Sequence, residues 1–389
     1  MNSWSAMRAS ARREWAWLCR SPWDIALVGW LPVLLLVLMA ALFSAGVLRH
    51  VPVAVVDHDH SETSRALTRK LMATAGLQVT AMPASLDEAW SLVRRGQVQA
   101  VVHLPAGLSQ DIARGRSGTV FAFYNASYLT IGQAAERDIA SVVQAQAAET
   151  AQARTRYLSG RVGLQAVPVR VQSGVLFNAA RSYQHFLLGL LLPAILQLGF
   201  FLAVVSAFGR ELRDGTAPAW LTACGGRFGA ALLGKLLPYL LLFGLYGAAV
   251  IAWVAGPAGD GVAGSLPLLL AGFMAMLLAG AAVSLLFVGL TRNMGNALAL
   301  AGLYAGVALA FSGSTFPLIE GPLFSRIWSH LLPFTAYIEL QLAQLDIGAS
   351  WQASMPQLGV LVLFVVLAVP PGVWCYRRAC HDPASWGLR

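Results

Sequence analysis

Charged side chains are scarce in this chain. They make up 12% of its 389 residues, against about 25% in a soluble domain, while hydrophobic residues reach 57%, so much of the chain does not face water. Lysine is nearly absent, with only Lys70 and Lys235 among the 27 basic residues. The net charge of +9 includes no compact basic run, which argues against a nucleic-acid tract. Cysteine is sparse as well. Cys19, Cys224, Cys375 and Cys380 all fall outside residues 49–182, so no disulfide framework is implied there. No metal site is expected. Asp57, His58, Asp59 and His60 sit side by side, but neighbours on an extended strand end point to opposite sides and cannot all meet one ion. Capping of the next helix by Asp59 or Ser61 is the simpler role. An ATP site is missing too. Gly229 to Lys235 matches G-x-x-x-x-G-K, yet Leu236 follows where a P-loop needs Ser or Thr for magnesium, and the segment opens an apolar run instead of following a strand. Lys235 is expected to snorkel to a membrane interface.

What the chain does have is long apolar runs. Residues 1–22 read as a cytoplasmic interfacial helix, with Met7, Ala11, Trp15 and Leu18 at helical spacing and Arg8, Arg12 and Arg13 largely on other faces. Residues 23–48 form an apolar stretch broken only by Asp24, long enough to cross a hydrocarbon core of about 30 Å. It is too long for the apolar core of a cleaved signal peptide. Residues 49–182 change pattern: VPVAVVD, LQVTAM, VQAVVHLP and TVFAFYN alternate with helical segments, and a long Ala- and Gln-rich helix follows. That order argues an α/β domain. Five further spans are expected in residues 183–376, at 183–208, 230–255, 266–290, 297–316 and 358–374. A segment at 318–345, cut by Pro322 and Pro333, reads as re-entrant, and 377–389 as a tail.

Lys and Arg flanking the spans set the orientation. Arg8, Arg12, Arg13, Arg20, Arg210, Arg213, Arg227, Lys235, Arg292, Arg377, Arg378 and Arg389 fall on one side, and Arg326 alone on the other. Both termini are therefore expected in the cytoplasm, with residues 49–182 outside. Ionisable residues within the spans are few, which argues against a proton-driven carrier. Gln184, Gln197, Asn293 and Asn296 are uncharged polar groups in or beside spans, and hydrogen bonding between helices is their simplest role.

One helix, a large external α/β domain and five more helices is a layout that resembles the type-2 ABC exporter permeases. VAVVDHDHSETSR, through Asp57, Asp59 and Ser61, looks like the family's strand followed by D-x-D-x-S. FSGSTFP looks like the signature at the outer end of the fifth helix, and LPFTAY like the re-entrant segment behind it. GRELRDGTAPAWLTA, residues 209–223, looks like the segment such permeases present to their ATPase. The chain departs from the family pattern at Asn178-Ala179, where relatives tend to carry Asn-Pro. The resemblance implies an α-helical polytopic membrane protein of six transmembrane helices, with an inserted extracytoplasmic α/β domain, in a bacterial inner membrane. It implies coupling to an ATPase through Arg210, Glu211, Leu212, Arg213, Asp214, Gly215 and Thr216. An outer gate or re-entrant element would use Phe311, Ser312, Gly313, Thr315, Phe316, Pro317, Pro333, Phe334 and Tyr337. Candidate pathway residues are Gln197, Phe200, Phe201 and Asn296. The implied partners are cytoplasmic ABC ATPase subunits that bind ATP and magnesium, a second permease copy or close paralogue, membrane lipid, and a periplasmic adaptor with an outer-membrane channel. The implied activity is export of a small amphipathic or apolar compound, drug-like or lipid-like. A membrane-anchored scaffold that recruits envelope partners through its α/β domain, without transport, is the alternative.

Overall fold

A computed structural model describes residues 2–42, 50–114, 118–124, 129–158, 183–256, 261–314 and 321–387. The chain divides into two compact units, one from residues 1–46 and 175–389 and one from 47–174. The first unit opens with α1 (Ser3–Leu18), which buries Ala6, Ser10, Glu14 and Leu18 and leaves Trp4, Trp15 and Trp17 exposed. This stripe differs from the expected face of Met7, Ala11, Trp15 and Leu18, because α1 docks on a helix through small and polar side chains. α2 (Pro22–Ile25) starts on Ser21, whose hydroxyl accepts from the Asp24 amide at 3.3 Å. It passes through a π-helical turn, Ala26–Trp30, into α3 (Leu31–Leu42).

The second unit is built on β1 (Val51–Asp57), α4 (Glu62–Ala73), β2 (Leu77–Ala81), α5 (Leu86–Arg94), β3 (Ala100–Leu104), α6 (Leu108–Ala113), β4 (Phe121–Tyr124) and α7 (Leu129–Leu158). Its sheet order is β2-β1-β3-β4, with β4 antiparallel to its neighbour and the others parallel. Valine-rich β1 is buried on both faces, as central parallel strands are. Val53 and Val55 pack with Leu67, Leu71 and Ile139 on one side, and Ala54 and Val56 with Ala89 and Val98 on the other. Asp57 and Asp59 organise the loop after β1. Asp57 accepts from the Asp59 and His60 amides and the Ser64 hydroxyl, and Asp59 from the Gly107 and Ser109 amides at the start of α6. Capping of α4 falls to Ser61, not Asp59. Burial works against ionisation of Asp59, but hydrogen bonds from Ser61, Ser109 and Gly107 outweigh it and hold the carboxyl below its ordinary range.

The first unit resumes with α8 (Tyr183–Arg213), α9 (Ala217–Ala223), α10 (Phe228–Ala255), α11 (Leu266–Thr291), α12 (Met294–Gly306), α13 (Leu323–His330), α14 (Pro333–Leu342) and α15 (Trp351–His381). Among the described residues five helices are long and apolar enough to cross a membrane: Pro22–Leu42, His185–Arg213, Phe228–Ala255, Leu266–Thr291 and Trp351–His381. The expected span at 297–316 is not one of them. Its helix, α12, has 13 residues and rises only about 20 Å. Beyond Gly306 the chain continues in i→i+3 turns such as Ala310 to Val307 and Ser312 to Leu309, in a stretch where Gly302, Gly306 and Gly313 weaken helix. The final helix is longer than expected and takes in Arg377 and Arg378, so the anticipated tail boundary at 376/377 lies inside it.

Two contacts fix how these helices meet. A Cβ on Gly289 would lie 2.7 Å from the Tyr376 amide nitrogen, so α11 and α15 cross at backbone contact. In α8, Pro193 has no N–H to give the Gly189 carbonyl four residues back. The Gln341 amide of α14 donates to that carbonyl instead, at 2.5 Å.

Candidate functional site

The segment between the apolar helices α8 and α10 begins as the last turn of α8. Gly215, at φ +65°, then reverses the chain, and the short helix α9 follows. α9 buries Ala217, Trp220 and Leu221 and exposes Pro218, Ala219, Thr222 and Ala223. Arg210, Glu211 and Leu212 are 4%, 3% and 1% exposed, whereas Asp214 is exposed and pairs with Arg213 at 2.8 Å. The segment therefore has a buried half and a solvent half.

The buried half belongs to an ion cluster assembled from five elements. Glu14 of α1 accepts from Arg210 of α8, from Lys235 of α10 at 2.5 Å and from the Tyr239 hydroxyl at 2.6 Å. Arg210 also donates to Asp24 of α2 at 3.1 Å, and its guanidinium lies 4.6 Å from the centre of the Trp17 ring. The Trp17 indole donates to the same Asp24 oxygen at 2.8 Å. Glu211 accepts from Lys235 at 2.7 Å, Thr216 of the α9 cap at 2.6 Å and Arg13 of α1 at 3.0 Å. Three carboxylates, Glu14, Asp24 and Glu211, thus face three cations, Arg13, Arg210 and Lys235. The balance and the number of hydrogen bonds are what allow Glu14, Asp24, Glu211, Arg210 and Lys235 to remain buried, with Arg13 at the partly exposed edge.

Backbone packing makes the cluster possible. A Cβ on Gly234 would lie 2.2 Å from the Met7 carbonyl oxygen, so α1 lies directly on α10 there. Ser10 donates to the Ala231 carbonyl at 2.7 Å and accepts from the Trp220 indole at 2.9 Å, tying α9 into the same joint. The near-match to a P-loop thereby acquires a packing role: its last glycine admits α1, and the lysine after it meets Glu14. Lys235 does not snorkel, being 1% exposed. The acids and bases lie near helix ends, where each reads singly as an interface residue, and only folding gathers them. Two of the missed residues carry a sequence signal: Glu14 is the sole acid in a basic α1, and Asp24 the sole acid in the apolar stretch that follows.

At the far end of α8, His185 and Asp346 pair at 2.5 Å beside a cavity of about 230 Å³ between α8 and the end of α14. Of the expected gate residues, Pro333 opens α14 and Phe334 and Tyr337 are fully buried, Tyr337 against Phe273 at 5.5 Å. Ser312 is buried, Phe311 contacts Phe324 of α13 at 6.3 Å, and Gly313 takes φ +78°. Thr315, Phe316 and Pro317 lie outside the described residues, as does Asn178-Ala179. Among the candidate pathway residues, Gln197, Phe200 and Phe201 are buried inside the unit, with Phe200 on Phe243 and Phe201 on Tyr304. Asn296 is exposed in the first turn of α12, so it does not join them. Among the described residues no group of three His, Cys, Asp or Glu side chains is arranged to hold a metal ion.

A family model described as ABC-2 family transporter protein matches residues 23–370. No curated protein matches the chain.

Proposed function

From the premise that the chain belongs to the ABC-2 family of transporters, in which a multi-pass permease works with an ABC ATPase, we propose that it is the permease of an exporter in a bacterial inner membrane. In this reading both termini are cytoplasmic and residues 49–182 lie outside. Two copies, or this chain and a close paralogue, pair with ATPase subunits that bind ATP and magnesium, and a small amphipathic or apolar compound is moved outward. The observation that carries the reading is the division of residues 210–223 into a solvent half and a half buried in the ion cluster. A force applied to the exposed face of α9 is transmitted through Glu211 and Arg210 to α1, α2, α8 and α10 together. The exposed aromatic strand β4, with Phe121, Phe123 and Tyr124, favours a docking role for the second unit toward an envelope partner, such as a periplasmic adaptor with an outer-membrane channel.

Exposed positions test the coupling. Asp214→Arg and Thr222→Arg should leave thermal stability unchanged while abolishing co-purification of the ATPase and its stimulation by substrate. Normal stimulation in both variants would sink the assignment. Glu211→Lys is the weaker test, because it sets a second lysine against Lys235 and disrupts the fold itself.

A further inference from the structure

The cavity beside His185 is apolar apart from one edge. Phe186, Leu190, Leu342, Leu345 and Ile347 form its walls, and Asp346 and His185 are the ionisable groups among its described lining residues. Asp346 keeps 19% of its side chain accessible and His185 9%. A carboxylate in an apolar wall needs a partner, and His185 supplies one. An imidazole that does so as a neutral N–H donor leaves the negative charge of Asp346 uncancelled within this pair. Phe186, 42% exposed, adds an aromatic face to the same rim.

We propose that this cavity is a binding site for a compact apolar molecule carrying a single positive charge, whose cationic group takes the place of His185 on Asp346. Between His185 and Arg210 the chain runs roughly 38 Å along α8, so the site lies at the opposite end of that helix from the ion cluster. Its role as an outward station for cargo rests on the export reading, whereas its chemistry does not.

Equilibrium dialysis of radiolabelled benzyltrimethylammonium against the full-length chain in lipid nanodiscs tests the site without ATPase or nucleotide. Saturable binding is expected, and neopentylbenzene, the uncharged isostere of the probe, should not displace it. Asp346→Asn should weaken binding about tenfold or more, the loss of a charge-assisted contact. His185→Leu should preserve or strengthen it, because the competing hydrogen-bond donor is removed. A pair with a purely structural role would make the two substitutions act alike. Displacement by the neutral isostere, or unaltered binding in Asp346→Asn, overturns the proposal. Should Asp346→Asn fail to fold, the isostere competition on the unaltered chain and the sign of the His185→Leu effect still decide it. Failure of this binding leaves the transporter reading standing, since that is tested by ATPase stimulation.

Discussion

Removing the Lys235 ammonium would leave Glu14 and Glu211 without the cation they share, inside a site closed to water. Lys235→Met should therefore cost about 3–5 kcal/mol, the usual penalty for breaking a buried ion pair, read as a lower melting temperature in detergent. An unchanged melting temperature would mean that the lysine is dispensable. Gly234→Ala tests the packing beneath it. The new methyl would collide with the Met7 carbonyl, so α1 should lift off α10 and cross-linking between cysteines placed at Ser10 and Ala231 should be lost. In the other unit, Asp59 works by ionisation. Its folded-state pKa lies below the ordinary 3.8, so its contribution is present above that value and is lost as pH falls through the folded pKa. Asp59→Asn should speed hydrogen exchange at the Gly107 and Ser109 amides at neutral pH, with the difference from the parent chain vanishing in strong acid. Much of the cluster was hidden in the sequence. Arg210 and Glu211 stand out as charges between two apolar runs, but Glu14, Asp24 and Lys235 are far apart along the chain and sit where a membrane protein ordinarily carries interfacial charge.

At the scale of elements, the long apolar helices and the β-α alternation were legible because each has its own period and length. Short pieces held by other elements were not. α12 stops at Gly306, inside a run apolar enough to read as a span. The path of α8 past Pro193 depends on a glutamine more than a hundred residues away. Gln341→Leu should leave the Gly189 carbonyl unpaired in an apolar setting, at about 1–3 kcal/mol. Pro193→Ala restores an N–H four residues beyond that carbonyl, so the double variant should recover most of the loss. Additive destabilisation of the two substitutions would show that Gln341 does not serve the gap left by the proline.

Across the whole first unit, the contacts order the helix ends. Gly209 near the end of α8 packs on Met294 at the start of α12, and Gly289 near the end of α11 packs on Tyr376 late in α15. At the other ends, the Ser265 amide before α11 donates to Gln344, which in turn donates to Ser354 early in α15. The chain thus enters α12 beside the last turns of α8 and α11 and reaches α15 beside the first residue of α11. The described parts of residues 294–350 therefore begin at one end of the bundle and finish at the other, although no single helix among them is long enough to do so. A crossing made of α12, its following turns, α13 and α14 would keep the traverses even in number, the arrangement that the charge count supports. Side-specific labelling tests this in intact cells and inverted vesicles, with Cys19 and Cys375 replaced by serine to remove background. Cysteines at the exposed positions Asn296 and Ile347 should react from opposite sides of the membrane. Reaction of both from the same side would mean that this segment turns back without crossing, and the two termini of the chain would then face different compartments.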